Sequence, residues 1–250
     1  MNELAISFVV YVCVTGGALA GIYLNPVLPP EQIKDETRQA VNIAVGIIAT
    51  LAALVLGLMV ASAKSSFDAR AGDVREIAAH IIILDRTLRD YGAETTGARD
   101  QLKTMIKARL ERFWAEESQV AGAPRLADME SIFRHRLLSL SPANDTQKWL
   151  QARALSVAGD LEQTRWLLIE QSRKTIPRAF LVVLTFWLVV IFCTLGLFSP
   201  RNGTAYTIIF VCALSVATAI FLVLELDQPF EGVLQVSDLP VRGALAEINR

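Results

Sequence analysis

Residues 51–77 read LAALVLGLMVASAKSSFDARAGDVREI. Residues 51–63 carry no Asp, Glu, Lys or Arg. The next fourteen hold Lys64, Asp68, Arg70, Asp73, Arg75 and Glu76. No proline separates the two halves, and Gly72 is the only glycine in the charged one. One helix is therefore expected to leave an apolar medium and continue into water without a break. Its apolar part begins further back, so the full run is 41–63, VNIAVGIIATLAALVLGLMVASA. At about 1.5 Å per residue such a run crosses a hydrocarbon layer of roughly 30 Å.

Three further runs have the same character: 4–24, 179–198 and 206–224. None contains Asp, Glu, Lys or Arg. The first is not read as a cleaved leader, because only Asn2 and Glu3 precede it where a basic stretch would stand. Hydrophobic residues make up 53% of the 250, too many for an ordinary soluble domain. The expectation is an all-α polytopic membrane protein with four transmembrane helices and a cytoplasmic helical bundle. Gly17 and Gly21 form a GxxxG in the first span, read as a helix-packing surface. Cys13, Cys193 and Cys212 all fall inside spans and are read as small packing residues. The net charge of −1 gives no reason to expect nucleic acid.

Segment 64–178 holds 19 of the 24 basic residues and 16 of the 25 acidic ones. Its flanks carry Lys64, Arg70 and Arg75 at one end and Arg165, Arg173, Lys174 and Arg178 at the other. The opposite loops offer only Lys34 and Arg38, and Arg201. The excess of bases places 64–178 and both termini in the cytoplasm. The expected division is 1–63, 64–178, 179–226 and a cytoplasmic tail, 227–250. Phe67, Val74, Ile77, Ile81, Leu84, Leu88 and Tyr91 recur at steps of mostly three and four, one stripe of a helix. A second helix is expected from Thr95 or Thr96 as N-cap, with Leu102, Ile106, Leu110 and Phe113 inward. A break at Ala123-Pro124 precedes a third, marked by Met129, Ile132, Phe133 and Leu137. After Ser141-Pro142 a fourth is capped by Asn144 or Asp145, with Trp149, Leu155, Leu161 and Leu168 inward, ending near Pro177.

Catalytic chemistry has little to stand on. His80 and His135 are the only histidines, and neither stands in a ligand spacing such as HExxH. GxSxG, P-loop and GxGxxG motifs are absent. A charge-free set of spans disfavours a proton relay. The reading is a protein that is not an enzyme, with no cofactor or metal.

Two short motifs carry a family resemblance. Val55-Leu56-Gly57 in the second span leads to Ser66-Phe67-Asp68-Ala69-Arg70, and the fourth span is followed by Leu226-Asp227-Gln228-Pro229-Phe230-Glu231-Gly232. Together with the topology, these resemble the DUF4239 family of bestrophin-like bacterial membrane proteins, and more distantly the bestrophins. That resemblance implies a pentameric anion channel whose second helices line the pore. It would place Thr50, Leu54 and Leu58 in the apolar neck and Lys64 and Arg70 around the cytoplasmic mouth. The spacing i, i+4, i+8 does put the three on one helical face, although a leucine stripe in a membrane helix is equally at home against lipid. Asp227, Pro229, Phe230 and Gly232 would form a structural motif. Bestrophins with a calcium clasp have a run of acids after this point; here Gly232 is followed by Val-Leu-Gln-Val-Ser, so Glu225, Asp227, Glu231 and Asp238 are too scattered for six to eight oxygens. An acid at a helix C-terminus opposes the dipole, so Glu225 or Asp227 is expected to have a cationic partner, with Arg70 or another base at the foot of the second span the natural candidate. The implied partners are the bilayer, further copies of the chain and inorganic anions. The alternative is a non-conducting membrane scaffold or sensor whose cytoplasmic bundle binds a partner.

Overall fold

The computed structural model describes residues 3–29, 35–114, 126–171, 178–200, 202–228, 230 and 232–249. Side chains are not described at 112–114, 126–127, 169–171 and 178. The breaks expected at Ala123-Pro124 and near Pro177, the side chains of Phe113 and Arg178, and Lys34, Arg173, Lys174, Arg201, Pro229 and Glu231 accordingly lie outside the description. Among the described residues there is no strand. The helices are α1 (Glu3–Leu24), α2 (Asp35–Tyr91), α3 (Thr96–Trp114), α4 (Leu126–Leu138), α5 (Asp145–Gln171), α6 (Arg178–Leu197), α7 (Gly203–Leu226) and α8 (Leu239–Ile248), with a 3-10 turn at Ala93–Thr95. Four of them, α1, α2, α6 and α7, are long and apolar enough to cross a membrane, at the four runs expected. As the unbroken sequence at 51–77 required, α2 continues through its charged half without interruption.

The chain divides into two compact units, 1–67 with 174–233 and 68–173 with 234–250. In the first unit, α1 and α6 run in the same direction and touch backbone to backbone. A Cβ on Gly17 would stand 2.9 Å from the carbonyl oxygen of Val189, and one on Gly21 only 2.8 Å from the nitrogen of Leu197. Gly196 returns the contact, since its Cβ would lie 2.9 Å from the carbonyl carbon of Ala18. This is the packing surface expected of the GxxxG pair, and without side chains in the way two helices can approach this closely. The Asn25 amide closes the end of the pair by donating to the carbonyl of Leu197 at 2.7 Å. α7 runs the other way: Gln228, just past its end, donates to Glu3 at the start of α1. Tyr11 meets Phe210 edge to face at 5.4 Å. Val10, Val14, Ala52, Met59, Leu184, Leu188 and Ile220 are among the residues of the unit's core. Several hydroxyls inside the spans turn back on their own helix, as Thr50, Thr185, Thr194, Ser215 and Thr218 donate to the carbonyl four residues earlier. A hydroxyl in an apolar medium is thereby satisfied, whereas the buried hydroxyls of Ser7 and Thr15 in α1 meet no partner among the described residues. Cys193 is half-buried, whereas Cys13 and Cys212 are exposed on the single chain, so only the first packs within it.

The second unit is built on the stripe of α2 running through Val74, Ile81, Leu84, Leu88 and Tyr91, all buried, with Ile77 half-buried. α2 stops at Gly92, whose φ of 130° only glycine adopts readily. The next residues correct one expectation. The Thr95 hydroxyl does not cap the start of α3; it lies within bonding reach of the carbonyls of Leu88 and Gly92 and so closes the end of α2. Leu102, Ile106 and Leu110 point inward from α3 as expected, joined by Ala98 and Met105. On α4, Phe133 and Leu137 are buried but Ile132 is exposed. Asn144 caps α5, its side chain accepting from the N–H of Gln147 at 2.8 Å. The inward face of α5 is Leu150, Ala154, Val157, Leu161 and Thr164, at steps of four and three. Trp149 is therefore misassigned by the sequence reading: it is 65% exposed, because the buried stripe begins one residue later. α8 lies against α3 through the same unit, burying Val241, Ala244 and Ile248.

Candidate pore helix and the turn after the fourth span

The apolar half of α2 has two unlike faces. Ala52, Met59 and Ala63 are buried in the core of the first unit. Thr50, Leu54 and Leu58 share the opposite side; the two leucines are 67% and 66% exposed. Ile43 and Ile47 extend that uncovered surface toward the start of the helix. Of the four spans α2 has the smallest share of residues buried within the chain. A row of exposed leucines is costly in water, so this face must meet lipid, a second copy or a narrow pore. Lys64 is exposed at the end of the apolar half, its ammonium 5.6 Å from the ring centre of Phe67.

Arg70 differs. Its side chain is only 1% exposed, so the guanidinium is held within protein and is not offered to solvent as the mouth position required. A guanidinium withdrawn from water has to be met by acceptors. Arg70 tolerates burial better than a lysine would because its charge is delocalised and more weakly hydrated.

After the fourth span the chain folds back on its own helix. Asp227 ends α7 in a helical conformation, its N–H donating to the carbonyl of Val223 at 3.2 Å. Glu225 and Asp227 are both buried. The Glu225 carboxylate accepts from the N–H of Val233 at 2.9 Å, so one turn of chain closes over it. Gly232 makes that closure possible: its φ is +88°, and a Cβ there would lie 2.9 Å from the carboxyl carbon of Glu225. Of the expected structural motif, Asp227, Phe230 and Gly232 fall among the described residues, and Pro229 does not. Sequence reasoning missed Glu225 as the acid the turn is built on. The signal available was an acid seven residues before a glycine, which only the folded turn brings together. Gly232→Ala should cost about 1–3 kcal/mol from the positive φ alone, read as a lower melting temperature in detergent. Gly243→Ala, in open space on α8, should instead be neutral or stabilising by up to about 1 kcal/mol.

Four helices of spanning length and a second helix that continues into a charged unit define a polytopic membrane protein. The model of the Bestrophin-like domain matches residues 12–241, and the chain belongs to that family. No curated protein and no solved structure matches the chain significantly.

Proposed function

We propose that the chain is one subunit of an oligomeric channel, a pentamer by family resemblance, that passes small inorganic anions across a bacterial inner membrane. In this reading α2 faces the central axis, with Thr50, Leu54 and Leu58 as the neck. Residues 64–178 and both termini lie in the cytoplasm. Lys64, exposed beside Phe67, raises the local anion concentration at the inner mouth, a place buried Arg70 does not share. The observation that carries the proposal is the uncovered aliphatic face of α2 opposite a packed one. An apolar ring of this kind can gate by excluding water. The second reading, a non-conducting scaffold or sensor, is favoured by the size and charge of the 64–178 segment.

Halide flux from liposomes separates the two. Replacing both Leu54 and Leu58 by Ala should widen and wet the constriction and raise flux by at least tenfold over the wild type. Equal silence of wild type and double variant, with both proteins reconstituted and folded, leaves the scaffold. Images of the purified particle should show a five-fold ring with α2 on its axis.

A further inference from the structure

Within the second unit α3, α4 and α5 leave a cavity of about 310 Å³ between them. Its floor is apolar, formed by the buried side chains of Leu102, Phe133 and Leu161. Its wall is cationic. Glu130 lies between two arginines, one carboxylate oxygen bound to Arg109 and the other to Arg165. Arg134 stands 3.6 Å from Glu162 on the same cavity. Among the described residues three guanidiniums thus face two carboxylates.

The Glu130 carboxylate is divided, so neither Arg109 nor Arg165 receives a full bidentate partner. The Nε of Arg109 is buried and has no acceptor among the described residues. Burial, and next the neighbouring charge of Arg165, lower the Arg109 guanidinium from its ordinary value to about 10. It is therefore still charged at neutral pH, and a further anion would offset the repulsion from Arg165.

Gly159 lies on the same cavity. It sits in the interior of α5, where glycine costs about 1 kcal/mol relative to alanine. No close approach explains it, because a Cβ there would meet nothing within 4 Å. It lines the cavity and keeps that side of it open.

We propose that this cavity is a binding site for a small amphipathic monoanion, an organic carboxylate on a flat apolar body of one or two rings. The carboxylate sits against Arg109 and Arg165, and the rings lie over Leu102 and Phe133. The volume is at the lower end of the roughly 300–1,000 Å³ of small-molecule pockets, which sets the size. The site stands whether or not the protein conducts.

Calorimetric titration of the full chain in lipid nanodiscs, with empty discs as the blank, tests this. The probes are 2-naphthoate, its neutral amide 2-naphthamide, and inorganic phosphate. One naphthoate per chain should bind saturably, with the amide and phosphate each at least tenfold weaker. Gly159→Leu should grow a side chain into the cavity and weaken naphthoate at least tenfold without lowering the melting temperature. Arg165→Gln should weaken naphthoate at least tenfold and leave the amide unchanged. Absence of saturable naphthoate binding, or equal binding of acid and amide, overturns the proposal. Naphthoate affinity unmoved by either variant places binding elsewhere and overturns it too. Phosphate binding as tightly as naphthoate overturns the amphipathic assignment.

Discussion

Gly21→Ala is expected to break the first unit. The new methyl would be driven into the backbone of α6 at Cys193–Leu197, where neither carbonyl nor amide can yield without parting the helices. Overpacking of this sort costs typically 1–3 kcal/mol when side chains can adjust, and here the obstacle is main chain, so about 3 kcal/mol is the lower bound. At roughly 2–4 °C per kcal/mol for a chain of this length, the melting temperature in detergent should fall by at least ~6 °C. Gly21→Leu should prevent recovery of a monodisperse protein. The control is Gly46→Ala on α2, in open space, which should leave the melting curve unchanged or shift it slightly upward. A Gly21→Ala variant that melts with the wild type would show that α1 and α6 are not in backbone contact.

Asp85→Ala should have a comparable effect in the second unit. Asp85 is fully buried on α2, and its carboxylate accepts from Arg99 of α3 through Nε at 2.7 Å and Nη2 at 3.1 Å, and from Arg89 at 3.1 Å. Hydrogen bonding to Asp85 holds the Arg99 guanidinium above its ordinary value, against the opposing effect of burial. A cation raised in the folded state contributes stability that is present below its unfolded value and lost only as pH climbs through the folded one, so at neutral pH the contribution is fully in place. Deleting Asp85 leaves Arg99, 22% exposed, without its acceptor. Removal of one partner from a buried pair costs about 3–5 kcal/mol; Arg89, half in solvent, adds little. Arg89→Ala should therefore cost less than about 1 kcal/mol. Adding Arg99→Met to Asp85→Ala should recover part of the loss, because no uncompensated charge then remains. Equal melting temperatures for Asp85→Ala and Arg89→Ala would contradict the assignment.

The spans were legible because charge is so expensive in hydrocarbon that its absence over about twenty residues is a strong signal. The unbroken α2 was legible for the complementary reason: nothing in 51–77 could stop a helix. Phase was harder. In α5 the buried stripe includes Ala154 and Thr164, residues that give no hydrophobic signal, while Trp149 gives a large one from the exposed side. Asp85 stands next to Leu84 in a helix where Asp68, Glu76 and Asp90 are exposed, and Arg99, fourteen residues on, explains its burial. Thr95 was recognised as a capping residue, but its hydroxyl serves the helix behind it, which is decided by the reversal at Gly92. Thr50, Leu54 and Leu58 share one exposed side, and exposure has the same form for pore, lipid or neighbour. Only the family resemblance places Arg70 at the mouth; its burial depends on neighbours that the local sequence does not name.

The contact between α1 and α6 joins positions 172 residues apart, as Asn25 and Leu197 mark. At synthesis rates of roughly 5–20 residues per second, the α6 face is made about 10–30 s after the α1 face it must meet. For that interval Gly17 and Gly21 present bare backbone to lipid while α2 and the whole charged segment are being translated. A ribosome following closely on the same message carries another α1 in the same condition. Correct assembly is thus a race between an intramolecular partner that arrives late and an intermolecular one already nearby, and slowing translation between Leu24 and Arg178 would lengthen the odds against the native pair.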